Sequence, residues 1–208
     1  MRPLLAALLL VAGCASGPTG DDLAVYPAAI AGRYDNSVQY AGAPADMKDA
    51  PGDPEDDWLD AQAVTFTPVE ARALGPAAVY AEWKSLEGAV TRQRLWLFRS
   101  DAGGVRLDIV DLATPERFAG AGPAAFTTLS RDDVTTPDPA CALSVTASGR
   151  GAWNAQTDPD TCRRGDVSVD IRITVMPTGV LYQEQGRRPD GTYAFRTPSP
   201  APYDFRRR

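Results

Sequence analysis

The chain has 208 residues, 44% of them hydrophobic and 23% charged, with a net charge of −6 and no histidine. That size and balance suit one globular domain with a proper core, and the negative charge offers no field to hold nucleic acid. The missing imidazole removes Ser-His-Asp and Cys-His nucleophiles, histidine metal sites and the commonest base of neutral pH, so no metal site is expected.

The N-terminus reads as a processing signal. In "MRPLLAALLLVAGCASG" one cation, Arg2, precedes an apolar run from Leu4 to Ala12 that is too short to span a bilayer. The run ends in small residues directly before Cys14. This is the pattern of a bacterial lipoprotein signal, in which residues 1–13 are cleaved and Cys14 takes lipid on its sulfur and new amino group. An ordinary secretory signal with a chance cysteine is the alternative. Several acyl chains on one residue anchor a protein, at about 0.8 kcal/mol per buried CH₂. The expectation is therefore an exported lipoprotein facing the periplasm, on the inner or outer membrane, with residues 14–22 as tether and 23–208 as one domain. Cys141 and Cys162 then remain as a pair in an oxidising compartment, where a disulfide is expected. A catalytic thiol at Cys141 is the other reading, with no evident cation nearby to activate it.

Beyond the tether, "LAVYPAAIAG" permits a brief helix ending at Gly32 and kept short by Pro27. "RYDNSVQYAG" follows as strand. Residues 41–60, rich in Pro, Gly and acid, read as a surface loop whose spacing fits no EF-hand. Thr67-Pro68-Val69-Glu70 has the capping-box pattern, with Gly75 as a stop, and permits a short helix. From Ala77 the pattern turns β, with strands expected at 77–84, 90–98, 104–112, 141–147, 167–176, 179–185 and 191–196. In "DVSVDIRITV" the residues Val167, Val169, Ile171, Ile173 and Val175 share one face, which is period-two alternation over a core. "TPERFAG" adds a short helical turn with Thr114 as N-cap and Pro115 next to it. Arg206 to Arg208 read as a solvated tail. Near-neighbour turns predict an antiparallel meander, and closing it into a barrel abolishes its edges.

Several segments occur together in one order: "AGRYDNSVQ", "VYAEW", "TRQRLWLF", "ERFAG", "CALSVTASGRGAWNAQTDPDTC" and "PYDFRRR". In this the chain resembles the CpcT/CpeT family of phycobiliprotein chromophore lyases, from about Leu23 to Arg207. The resemblance implies an all-β, mainly antiparallel, calycin-like barrel with one or two short helices. It favours strand over helix around Val64–Val69. It also implies an activity, lyase-type attachment of an open-chain tetrapyrrole to a protein cysteine, with a phycocyanobilin-like bilin as the ligand.

The segment "VTRQRLWLF" carries the clearest chemical signal. As a strand it places Arg92, Arg94, Trp96 and Phe98 on one face and Thr91, Gln93, Leu95 and Leu97 on the other. Guanidinium forks bind carboxylates and aromatic faces stack on conjugated rings, so the first face suits an amphipathic small molecule such as a linear tetrapyrrole. The opposite reading puts the leucines inside and leaves the arginines outside, paired with Glu82 or Asp108; a third has the arginines inside yet only stabilising the fold. In "YDNSVQ", Tyr34, Asn36 and Gln39 are candidates for binding pyrrole or lactam groups, or for satisfying backbone at a barrel rim. Glu82 joins them as a ligand-site candidate, and Asp35, Glu82 and Asp108 are the acids available to assist any lyase chemistry. Three classes of function stand open: a chromophore lyase, a carrier lipoprotein without turnover, and a structural envelope lipoprotein with a filled barrel. The partners expected are the small molecule, the membrane through its anchor, and a second copy of the chain as a homodimer.

Overall fold

The computed structural model describes residues 23–48, 53, 55–197 and 201–208; the leader, Cys14 and the tether lie outside the described residues. Among the described residues, twelve strands and two short α-helices carry the fold. In chain order they are α1 (Val25–Ile30), β1 (Gly32–Asp35), α2 (Ser37–Gly42), β2 (Gln62–Val69), β3 (Ala77–Ser85), β4 (Val90–Asp101) and β5 (Gly104–Asp111). There follow β6 (Leu143–Ala147), β7 (Trp153–Thr157), β8 (Arg163–Arg164), β9 (Val167–Met176), β10 (Gly179–Arg187), β11 (Tyr193–Arg196) and β12 (Tyr203–Arg207).

Ten of these strands form a closed antiparallel barrel. Their order is β10-β12-β1-β2-β3-β4-β5-β6-β7-β9, and β9 pairs back onto β10 over nine residue pairs from Gly179↔Met176 to Arg187↔Ser168. The two-residue β8 and the short β11 extend the wall at one end only, β8 beside the start of β9 and β11 beside the end of β10. The all-β, calycin-like barrel expected from the sequence is thus the observed architecture.

The alternation in β9 works as read: Val169, Ile171, Ile173 and Val175 are buried in the lumen. They meet Val180 and Tyr182 of β10, Phe66 of β2, Trp96 and Phe98 of β4, and Trp153 of β7. Helix α1 closes one end. Its Ile30 is fully buried, and Tyr26 stacks on Phe98 at 5.7 Å and meets Trp153 edge-on at 6.2 Å. The Tyr34 hydroxyl donates to the Ile30 carbonyl at 2.8 Å, tying β1 to this cap. Gly32 turns the chain from α1 into β1 at φ +148°, where a Cβ would lie 2.7 Å from the Arg207 guanidinium.

A second apolar layer lies outside the barrel. Leu95 and Leu97 of β4, with Tyr80 and Val110, are covered by Phe118, Phe126 and Leu129 of the segment between β5 and β6. Both faces of β4 are therefore buried, which is why its leucines and its Trp–Phe pair looked equally suited to a core.

Four local expectations change. The strand expected over 33–42 stops at Asp35, whose carboxylate accepts from the Ser37 N–H at 2.9 Å and turns the chain into α2. The helix permitted at Thr67–Gly75 is the end of β2, as the family resemblance favoured. Pro68 is tolerated there because pairing with β1 ends at Gly32↔Phe66, so this stretch is bonded along one edge. The arginine tail is strand β12: Arg207 donates to the carbonyls of Ala29, Ala31 and Pro177 and covers the Tyr34 ring at 4.8 Å. Strand β7 was not anticipated; its polar residues Asn154 and Gln156 alternate with the buried Trp153 and Ala155.

Cys141 and Cys162 form a disulfide across a sequence separation of 21 residues, clamping the β6–β7 hairpin base to β8. Loop closure of that length stabilises by about 3 kcal/mol in the chain-entropy account. Denaturant unfolding of a Cys141→Ser/Cys162→Ser variant is expected to show that loss, with the barrel still folded; an unchanged midpoint would refute it.

Candidate ligand site at the barrel mouth

The end of the barrel opposite α1 is open, and the strand registers decide what lines it. On β4 the inward face reads Phe98, Trp96, Arg94, Arg92 from the capped end to the mouth, since Arg92 pairs with Trp83 and Trp96 with Val79. On β10 the same face reads Val180, Tyr182, Glu184, Gly186. Across the lumen, the Arg94 guanidinium meets the Glu184 carboxylate at 3.0 and 3.2 Å. Arg92 reaches the same carboxylate at 3.1 Å and the Tyr182 hydroxyl donates to it at 2.7 Å. The arginines point inward, so the reading that left them outside, paired with Glu82 or Asp108, is overturned.

Glu184 is 3% exposed and Arg94 9%. Burial pushes the Glu184 carboxyl up, but the pull of Arg94 and Arg92 and the hydrogen bond from Tyr182 outweigh it and hold the group below the ordinary glutamate range. Burial works against the Arg94 charge too, and Tyr182, Glu184 and Asp111 more than compensate. Desolvation, followed by the Glu184 charge, pushes the Tyr182 hydroxyl up. At neutral pH the cluster is thus an ionised carboxylate, two guanidiniums and a neutral phenol.

Above this cluster lies a cavity of about 380 Å³, within the size range of small-molecule sites. Its floor and one wall are Trp83, Arg92, Arg94, Tyr182 and Glu184. Trp58, Tyr203, Phe195, Arg196 and Arg164 also line it, Tyr203 on β12 directly beside Tyr182 of β10. Arg92 lies 5.9 Å from the centre of the Trp83 ring, so charge and aromatic surface are adjacent. The space stops there. Trp96 sits one layer deeper, fully buried against Phe66, Trp83 and Tyr182, and the lumen below is filled by side chains. A cleft of about 450 Å³ on the outer wall, lined by groups such as Asp158, Asp170, Arg172 and Arg187, contains none of the anticipated site residues.

The other candidates are distributed as follows. Tyr34 is inside but at the capped end, bonded to Ile30. Asn36 is fully buried and bridges the Asp60 carbonyl, at 2.7 Å, and the Gln62 N–H, at 2.8 Å. Gln39 bridges the Pro202 carbonyl and the Asp204 N–H. Asn36 and Gln39 are therefore backbone clamps at the rim, not groups presented to a ligand. Glu82 is on the outer face, because β3 turns Val79, Ala81 and Trp83 inward and Tyr80 and Glu82 outward. There it binds Lys84 at 2.8 Å, the Gly120 N–H at 2.7 Å and the Tyr80 hydroxyl at 2.8 Å. Asp108 pairs with Arg99 at 2.7 Å on the same outer surface, and Asp35 with Arg208.

Of the sequence candidates, only Arg92 and Arg94 line the cavity. Among the other lining residues, Glu184, Tyr182, Trp58, Tyr203, Arg164 and Arg196 were not candidates. A signal existed for Glu184: in "GVLYQEQG" the carboxylate falls on the apolar face shared by Val180 and Tyr182, where only a facing cation makes it tolerable.

No family model and no curated protein sequence matches the chain. The barrel superposes on the CRL protein of Arabidopsis with a TM-score of 0.67, covering 90% of this chain and 98% of that one at 14% identity. Its fold is that of the CRL protein. A looser likeness, with a TM-score of 0.48 at 10% identity, joins it to the T-type phycobiliprotein lyase CpeT from Prochlorococcus phage P-HM1, over 91% of this chain and 97% of that one.

The ion cluster makes two checkable demands. Glu184→Gln leaves Arg94 buried with only the half-exposed Asp111 beside it, and is expected to cost about 3 kcal/mol; adding Arg94→Met is expected to restore most of that. A cycle showing two independent, additive losses would contradict the pairing. Because Glu184 is depressed when folded, its stabilisation is complete above the unfolded value of 4.5 and is lost as pH falls through the lower folded value. Asp35, lowered to about 2 by the Arg208 hydrogen bond against a small burial cost, loses its share between 3.8 and about 2. Melting temperature is expected to be flat near neutrality and to fall below about pH 4.5, more shallowly in the double variant.

Proposed function

We propose that this protein binds an anionic amphipathic small molecule with a flat conjugated body, of the linear tetrapyrrole type, in the mouth of its barrel. The observation that carries the reading is the cavity lining. Four guanidiniums (Arg92, Arg94, Arg164 and Arg196) and one carboxylate (Glu184) stand among the rings of Trp58, Trp83 and Tyr203. Such a surplus of cations over aromatic walls favours an occupant that is acidic at its edge and π-rich in its body. The sequence resemblance to the CpcT/CpeT chromophore lyases supports the same ligand class.

The chemistry of the mouth favours holding over turnover. Its carboxylate is committed to two arginines, its phenol is pushed above its ordinary value, and the three acids considered as proton donors, Asp35, Glu82 and Asp108, are all on the outer face. If attachment to a cysteine occurs, the electrophile is the bilin's own ethylidene group and the protein's part is to position it. A carrier is the reading that needs nothing more.

We propose further that Cys14 is lipidated and that the barrel stands on the periplasmic face of a membrane. The signal pattern supports the anchor.

Adding biliverdin or phycocyanobilin to the purified protein is expected to shift and sharpen the pigment's visible absorption. Arg92→Ala is expected to weaken binding about tenfold without lowering the melting temperature by more than a few degrees. No spectral change with either pigment would sink the binding reading. A thioether formed on an added phycobiliprotein subunit would make the protein a lyase.

A further inference from the structure

Strand β8 brings a further cation to the mouth. Its two residues point opposite ways: Arg163 lines the outer cleft together with Asp166, and Arg164 lines the mouth cavity. The register agrees. Arg164 pairs with Val167, whose side chain packs on the lumen and would lie 2.7 Å from a Cβ placed on the inward-facing Gly186. Arg164 is exposed there. Arg92 and Arg94 share the Glu184 carboxylate, whereas Arg164 joins no ion pair among the described residues. A guanidinium that faces a cavity uncompensated is a seat for an anion.

Apart from one covalent bond, little holds β8 in that place. It makes two residue pairs with β9, beside the stretch of β9 that β7 does not reach, and the Cys162 carbonyl accepts from the Val169 N–H at 2.9 Å. A ladder that short does not fix a strand by itself. Two residues before Arg164, Cys162 is buried, and its disulfide runs to Cys141 just ahead of β6. Beside it the Thr161 hydroxyl donates to the Ala140 carbonyl at 2.8 Å, but that bond is open to water. Gly165, at φ +65°, then turns the chain into β9. Arg164 thus stands between a covalent clamp and a tight turn.

We propose that Arg164 is a ligand-binding residue of the mouth and that the Cys141–Cys162 disulfide positions it. Its guanidinium meets an anionic oxygen of the occupant from β8, while Arg92 approaches the same molecule from β4, with β5 and β6 between them in the wall. The disulfide then belongs to the architecture of the binding site, because a strand already tethered loses less freedom when the ligand binds. The inference rests on the mouth being a ligand site, and deepens it by adding a cation and the clamp behind it.

Biliverdin, read by absorption, and 1-pyrenebutyrate, a flat aromatic acid read by fluorescence, are titrated into wild-type protein and variants. Arg164→Ala is expected to weaken both about tenfold, Arg164→Lys to recover part of that, and Arg163→Ala, on the outer cleft, to change neither. Cys141→Ser/Cys162→Ser is expected to weaken both about fivefold, and to add nothing in an Arg164→Ala background. Should either probe bind Arg164→Ala as tightly as wild type, the Arg164 assignment is wrong and the ligand site stands. Losses from the two changes that simply add, or a serine variant that keeps full affinity, overturn the positioning role of the disulfide. So does a serine variant that fails to fold, since the bond then serves stability alone. If only pyrenebutyrate binds, and Arg164→Ala weakens it, the tetrapyrrole reading falls and the Arg164 assignment survives; if neither probe binds wild type, both fall.

Discussion

A carboxylate inside a barrel of aromatic side chains is tolerable only where cations come to it, and this constraint organises the molecule. Glu184 is on β10, Arg94 and Arg92 are on β4, and these strands are not neighbours; the pairing crosses the lumen. It fixes the rotation of the two walls relative to each other. It also marks a level in the barrel: hydrocarbon and indole fill everything below, and solvent-accessible space begins above. An apolar layer at the same height would close the mouth as α1 closes the far end. Charge keeps it open, because the second guanidinium cannot be buried along with the first.

The two ends of the barrel thus reach stability by different means. At the capped end, α1 supplies Ile30 and Tyr26 to a stack with Phe98 and Trp153, and the C-terminal strand locks that cap with the Arg207 bonds to α1 carbonyls. These groups leave no space for a guest. At the mouth, the short β8 and β11 prolong the wall past the point where β7 and β12 leave it, and they bring Arg164, Phe195 and Arg196 over the rim. Gly186 makes the approach feasible: a Cβ there would fall 2.4 Å from the Phe195 ring and 2.7 Å from Val167. Arg164, Phe195 and Arg196 are therefore carried by strands outside the closed ring of ten, whereas Trp83, Arg92, Arg94, Tyr182 and Glu184 belong to the ring itself.

Legibility in the sequence followed how many faces of an element are buried. Strand β9 has one buried face, and its alternation could be read directly into the lumen. Strand β4 has two, the outer one hidden beneath Phe118 and Phe126, so its leucines and its Trp–Phe pair gave opposite, equally sound readings. The strand around β2 was hidden by a proline that local rules assign to a helix start, and the segment's family likeness corrected it. Asn36 and Gln39 looked like ligand groups because a polar amide in an extended segment has no evident partner; their partners are backbone atoms of Asp60, Gln62, Pro202 and Asp204, brought in by closure. Tertiary contacts also turned the arginine tail into a strand. Arg92 and Arg94 were legible since two fixed charges on an aromatic face require an explanation of their own, whereas Arg196 carries no such local mark.

Resemblance of fold and chemistry of site answer different questions here. The likeness to the CRL protein shows the fold alone, and a barrel of this kind can be filled, hollow or catalytic. What distinguishes these outcomes is the state of the polar groups at its one open end. A group that moves protons at neutral pH needs a pKa near 7, and the mouth contains an acid driven down, a phenol driven up and, in Arg94, a guanidinium driven up. Each is fixed in one charge state by the others. Such an arrangement cannot exchange protons with a substrate without dismantling itself, but it offers a constant field to any anion that enters. The electrostatic coupling that holds the cluster in one charge state is what the proposed seat for a charged ligand rests on.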